Sequence, residues 1–246
     1  MELDCFECGT TVDAEDAGQL ADAFLAHARA EHEWPYPDQG IRNYAEATLR
    51  LTGSGERLPE IGSIEVHAVT EARLDDWLQL FDHDGFVGKP EWAACYCLEP
   101  HTGAGGGDDV PHWRENRTAM LERLRAGRSF GYLAYVDGRP AGWVNASTRG
   151  DYALYRIAGT PDDETVGVSC FVIAPPYRRH GVAAALLDRV IADAPSRGAR
   201  WVEAYPFTAQ PPDDAAHFRG PRTMYDARGF EAVESRERDT VMRRAV

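Results

Sequence analysis

Residues 166–206 constrain this chain most, because they read as a strand, a turn, a helix and a second strand in one run. Residues 166–173 are β-branched and aromatic and stop at Ala174-Pro175-Pro176, as a buried strand does. From Val182 onward the apolar residues fall at helical spacing: Val182, Leu186 and Val190 in one row, with Ala183, Leu187 and Ile191 beside it. Residues 196–200 turn the chain, and residues 201–205 read as another strand. The turn between strand and helix is Tyr177-Arg178-Arg179-His180-Gly181-Val182-Ala183. A turn that ends at a helix N-terminus exposes unpaired backbone N–H groups beside the positive end of the helix dipole. Such a site suits phosphate. Gly181 and Ala183 leave room for a ligand, and Arg178 and Arg179 can add charge-assisted hydrogen bonds. An ordinary strand-to-helix turn with surface arginines would read the same way.

The pattern Arg178-x-x-Gly181-x-Ala183, after an apolar strand and before an Ala/Leu-rich helix, resembles the acetyl-CoA signature of the GNAT N-acetyltransferase superfamily. Two more segments agree in order. Residues 131–135 with Asp137-Gly138 and Ala141-Gly142-Trp143 resemble the preceding hairpin, and residues 224–230, MYDARGF, resemble the late Y-x-x-x-G-F segment. The resemblance covers residues 61–246. It implies an α/β fold with a mixed central sheet flanked by helices, acetyl-CoA as cosubstrate, and transfer of acetyl to a primary amine of a small molecule or protein. It also implies that pantetheine runs along the strand at residues 166–173, with Cys170, Phe171 and Val172 at the thioester and Arg178, Arg179, His180, Gly181, Val182 and Ala183 at the pyrophosphate. In the same way it implies Tyr225 as the acid for the departing thiolate. The residues alone leave the base open: Glu203 on the second strand is one candidate, a solvent-facing or substrate-binding carboxylate is another reading, and water is a third. Cys170 reads either as a small buried hydrophobe or as an acyl-accepting nucleophile, but no histidine stands beside it in sequence. A non-catalytic acyl-CoA sensor is the rival function.

The segment at 82–111 is the least regular, with a glycine-rich stretch at 103–109. It carries Trp92-Ala93-Ala94-Cys95-Tyr96-Cys97 ahead of a helix at 113–124 bearing Asn116-Arg117, which resembles a W-x-x-C-x-C subgroup of the same superfamily. Trp92, Cys95, Cys97 and Asn116 then read as substrate-side residues; the alternative is that the aromatic residues roof the core. Residues 63–69 and 71–81 read as the opening strand and helix, and residues 152–157 as a further strand.

At the N-terminus, Cys5 and Cys8 form a compact knuckle, followed after eighteen residues by His27-x4-His32. Two thiolates and two imidazoles make a tetrahedral set for a structural Zn²⁺; a redox cysteine pair, or isolated thiols beside solvated histidines, are the other readings, and the gap of eighteen is longer than the roughly twelve of a usual finger. Residues 13–31 read as one helix capped by Asp13. Residues 1–40 are therefore expected to be a zinc-dependent module, residues 41–60 a linker containing a short helix, and residues 61–246 the acetyltransferase domain. Before residue 41 there is one basic residue, Arg29, against ten acidic ones, so this finger cannot grip nucleic acid. The whole chain has 26 basic and 40 acidic residues, a net charge of −14. That balance disfavours nucleic acid and anionic membranes and suits a cationic amine. The lack of an apolar span or basic leader reads as cytoplasmic, and a homodimer is compatible with the composition.

Overall fold

The computed structural model describes residues 1–103, 113–155 and 163–246. It opens with a small hairpin, β1 (Glu2–Asp4) and β2 (Thr11–Asp13), whose turn carries Cys5 and Cys8. Helix α1 (Ala17–Glu31) follows. Its cap is Asp16, whose carboxylate accepts from the Gln19 N–H at 2.8 Å, rather than Asp13, which the hairpin takes into β2. Leu20, Ala21, Phe24, Leu25 and Ala28 recur at helical spacing and are buried.

Helix α2 (Asp38–Arg50) corrects the expectation of a linker at 41–60. Ile41 and Ala45 are buried in one core with Leu20, Phe24 and Ala28 of α1. Ala47 is buried in another core, with Trp77, Phe81 and Trp143. A helix buried on two faces cannot be a spacer. Polar contacts tie it further: the Trp113 indole N–H donates to Glu46, Arg114 pairs with Glu46 at 3.0 Å, and Arg50 donates to the Tyr96 hydroxyl at 2.6 Å. Downstream, the Leu58 N–H reaches the Pro176 carbonyl at 3.0 Å.

The remaining strands form one seven-stranded mixed sheet. Strand β3 (Ile64–Ala68) leads into α3 (Leu74–Gln79), α4 (Glu99–Thr102) and α5 (Trp113–Arg125). Then come β4 (Gly131–Val136), β5 (Arg139–Thr148), β6 (Thr165–Ile173), α6 (Val182–Asp193), β7 (Trp201–Ala204), α7 (Arg222–Asp226), β8 (Glu231–Ser235) and β9 (Thr240–Ala245). Their order across the sheet is β3-β4-β5-β6-β7-β9-β8. Only β6–β7 is parallel; α6 is its crossover and packs Val182, Leu186, Leu187 and Val190 onto the sheet. The strand expected at 152–157 is absent among the described residues: Tyr152 and Tyr155 lie in a turn and bend, packed with Tyr205 and Val241, and residues 156–162 lie outside the description, as does most of the glycine-rich stretch at 103–109.

The fork between β6 and β7 positions everything that follows. Pairing runs from Thr165↔Trp201 to Val168↔Ala204 and stops. Two local causes act there. Pro206 follows Tyr205 and has no N–H to continue a ladder. On the other side of β6, Asn145 faces Cys170 while Ala146 faces Val168, so Ser169 is an extra residue, a bulge that bends the strand.

Candidate active site

A cavity of about 850 Å³ occupies the fork. One end is the turn before α6. Gly181 caps this helix at φ +83°, and no atom lies within 4 Å of where its Cβ would be. The side chain is thus absent both for backbone reasons and to leave the helix N-terminus open. Arg178, Arg179, Gly181, Val182 and Ala183 line this end. Arg178 donates Nε–H to the Ile173 carbonyl at 2.9 Å, which braces the turn, and Arg179 lies 3.6 Å from Asp214. His180 does not line the cavity: its Nε2 faces the Leu58 carbonyl at 2.8 Å and pins the segment that follows α2.

The other end meets the bulge. Cys170, Phe171 and Val172 line it together with Ser169, which the sequence does not single out. The Phe171 N–H points into the fork and donates to the carbonyl of Phe218, in the loop after β7. Ser169 Oγ is buried and makes no hydrogen bond.

Trp92, Cys95 and Cys97 also face the cavity, whereas Asn116 does not. Asn116 is fully buried and its Nδ2 donates to the Ala94 carbonyl at 2.8 Å, so it shapes the turn from behind instead of meeting a ligand. The turn needs such support, because Tyr96 and Cys97 both have left-handed backbone, φ 49° and 52°. Burial pushes the Cys95 thiol up to about 12, and burial followed by contact with Cys170 raises Cys97 further. Both are protonated and unreactive at neutral pH.

Glu203 is corrected. It is fully buried, 3.4 Å from Arg149 and 2.5 Å from Arg243, and it accepts from the Tyr205 hydroxyl at 3.2 Å. It has no place on the cavity wall. β7 pairs on both sides at this position, so the carboxylate is locked into a sheet-spanning ion-pair cluster. Tyr225 lies just behind the cavity. Its hydroxyl donates to the Arg219 carbonyl at 2.6 Å, and a Cβ on the cavity-lining Gly220 would come within 2.8 Å of it. Burial, reinforced by Cys170 nearby, holds its pKa above the usual phenol range.

Sequence reasoning missed Asn43 of α2, Glu91, Glu99, Tyr155 and Phe218, all on the wall. No local pattern marks them; only the fork and the docked α2 bring them together.

Far from the fork, Cys5, Cys8, His27 and His32 converge, with all ligand atoms within 4.8 Å of one another. Cys5 Sγ is 3.3 Å from His32 Nε2 and Cys8 Sγ is 3.4 Å from His27 Nε2. Tetrahedral zinc with S and N ligands separates them by roughly 3.5 Å, so the set fits that ion. His32 offers its other nitrogen, Nδ1, to Glu7 at 3.4 Å, the outer contact that orients metal-bound imidazoles. The Thr10 hydroxyl beside its sulfur pulls the Cys8 thiol down to about 6.

The chain matches the family described as acetyltransferase (GNAT) over residues 91–219, just over half its length. Among solved structures it is similar to the GNAT domain of S. lividans PAT, at 18% identity and TM-score 0.50, with 75% of this chain and 92% of that one covered. It is also similar to an acetyltransferase from Thermus thermophilus, at 16% identity and TM-score 0.46, covering 76% and 99%. A third is the PaiA N-acetyltransferase from Thermoplasma acidophilum in complex with coenzyme A, at 12% identity and TM-score 0.45, covering 75% and 99%. No curated protein sequence matches the chain. No helix among the described residues is long and apolar enough to cross a membrane.

Proposed function

The chain belongs to the acetyltransferase (GNAT) family, and on that premise we propose that it transfers acetyl from acetyl-CoA directly to a primary amine. The observation that carries this reading is one continuous cavity joining an open helix N-terminus to a bulged, splayed strand. The amides opening α6, with Arg178 and Arg179, hold the pyrophosphate. Phe171 N–H exchanges the Phe218 carbonyl for the thioester carbonyl and stabilises the developing oxyanion. The acceptor reacts as the neutral amine after its ammonium loses a proton to water, and a second proton leaves to water as the C–N bond forms and the C–S bond breaks; holding amine and thioester in one cleft removes most of the entropic barrier, so no covalent enzyme intermediate is needed. A cationic amine is the acceptor favoured by the net charge of −14.

Calorimetry with acetyl-CoA and release of free CoA across an amine library test this function. Gly181→Glu puts a carboxylate at the phosphate seat and is expected to weaken acetyl-CoA at least tenfold, about 1.4 kcal/mol. Unchanged affinity in a folded variant would exclude the site.

Tyr225 is the proton donor to the CoA thiolate in this proposal, once its hydroxyl exchanges the Arg219 carbonyl for sulfur. Tyr225→Phe keeps the ring that packs against Phe230. It should lower kcat about 10²-fold with acetyl-CoA affinity little changed. A kcat within about threefold of the parent, with chemistry rate-limiting, would leave the hydroxyl only the role of tying down the loop.

The Cys5–Cys8–His27–His32 set holds one structural zinc ion, with both thiols ionised and both histidines neutral. Elemental analysis of freshly purified protein should give one zinc per chain. None would refute the site.

A further inference from the structure

Two carboxylates on the cavity wall, Glu91 and Glu99, have no hydrogen bond or ion pair among the described residues, but Glu91 lies within electrostatic reach of the Lys89 ammonium, which leaves Glu99 as the one to consider. Glu46, Asp82 and Glu203 each lie within 3.5 Å of a guanidinium. Glu99 is partly buried on the cavity wall, and among the described residues its carboxylate has no hydrogen bond or ion pair. It lies close enough to the Cys95 thiol and the Tyr155 phenol to act on the charge of both, and Cys170 at the bulge acts on the same two groups. A carboxylate on a cavity wall with no counter-charge of its own is available to a cationic ligand.

The position is also rigid. Glu99 opens α4, and two residues on, His101 is buried behind it. His101 Nε2 lies 3.1 Å from Asn145 Nδ2, and its Nδ1 lies 3.2 Å from the Asp151 carbonyl and 3.1 Å from Arg123 Nη2. Burial, then Arg123 nearby, lowers its pKa to about 4, so the ring stays neutral and this frame does not change near pH 7. Asn145 also donates to the Cys97 carbonyl at 3.1 Å, and the N–H groups of Ala153 and Leu154 share the Pro100 carbonyl at 2.9 and 3.3 Å. A buried polar frame therefore fixes both α4 and the backbone leading to Tyr155. Holding a charged group in one geometry is what orients a small ligand. The neighbouring wall is aromatic, supplied by Trp92, Tyr155 and Phe218.

We infer that Glu99 seats the ammonium of the acceptor, a primary amine carried on an apolar or aromatic arm, and holds its nitrogen in the cleft near the bulge at Ser169–Cys170, where loss of a proton to water frees the lone pair that attacks the thioester. The inference rests on the acetyltransferase reading above. Glu99→Gln removes the charge and keeps the shape. 2-Phenylethylamine is titrated into the CoA-saturated protein, with 2-phenylethanol as a neutral control and acetyl-CoA affinity measured separately. The variant should bind phenylethylamine at least tenfold more weakly and phenylethanol and acetyl-CoA within about twofold of the parent, and in turnover KM for the amine should rise more than kcat falls. Should Glu99→Gln fail to fold, Glu99→Asp, which keeps the charge one methylene short, replaces it and should weaken the amine alone. The inference is overturned by equal phenylethylamine binding in parent and variant. Equal loss of amine and alcohol would also overturn it, since that is a structural effect. So would a parent protein that binds acetyl-CoA but no phenylethylamine. A parent protein that binds no acetyl-CoA would instead overturn the acetyltransferase reading itself.

Discussion

A chain shortened to begin at Ser63 is expected to lose cooperative melting and acetyl-CoA binding together. The shortened chain lacks α2, which covers the core of Trp77, Phe81 and Trp143. It also lacks Glu46, leaving the Trp113 indole and Arg114 without their acceptor, and Arg50, which donates to Tyr96 in its left-handed turn. The backbone pairing of Thr52 and Gly53 with His83, and of Leu58 with Pro176 beside the turn before α6, disappears as well. Uncovered apolar surface and orphaned buried polar groups each destabilise, against a total stability of only about 5–15 kcal/mol for a typical domain. Differential scanning calorimetry decides it. A shortened chain that melts within a few degrees of the full chain and binds acetyl-CoA equally well would show that residues 1–62 are an appendage.

Glu203→Ala should cost about 3–5 kcal/mol of stability, because it strips a carboxylate from the buried guanidinium of Arg149. For a domain of this size each kcal/mol moves Tm by roughly 2–4 °C, so a drop of about 10 °C is expected. Acetyl-CoA affinity of the folded fraction should be retained. A catalytic base would behave oppositely, with a large fall in kcat and an unchanged Tm. That second outcome would put Glu203 back among the reacting groups.

The strand–turn–helix at 166–193 was legible because its signals are local: β-branched runs, Pro175-Pro176, and helical spacing from Val182. So was the Cys5–Cys8–His27–His32 set, whose spacing is itself the chemistry. Glu203 was misplaced for a definite reason. A carboxylate in a strand reads as exposed unless its partners are known, and those partners, Arg149 and Arg243, are 54 and 40 residues away in sequence. Asp13 reads as a helix cap because a Ser/Thr/Asp/Asn before an apolar period is the standard signal; Asp16 satisfies it equally, and the hairpin decides between them. Glu99 carries no sequence signal at all. Its isolation from counter-charges is visible only once α4 is set against β5 and the Tyr155 segment.

Helix α2 makes two small cores into one thermodynamic unit. Its Ile41 and Ala45 belong to the metal-ligand module and its Ala47 to the acetyltransferase half, while Gly40 and Asn43 form part of the cavity wall. In the proposed zinc form, an ion held by the four N-terminal ligands would stabilise the helix, and the helix the wall. By linkage, whatever factor such an ion adds to the affinity of a cleft ligand, the ligand would add to the affinity of the ion. Metal supply and the occupancy of the cleft would then be reciprocal variables, read by one thirteen-residue segment.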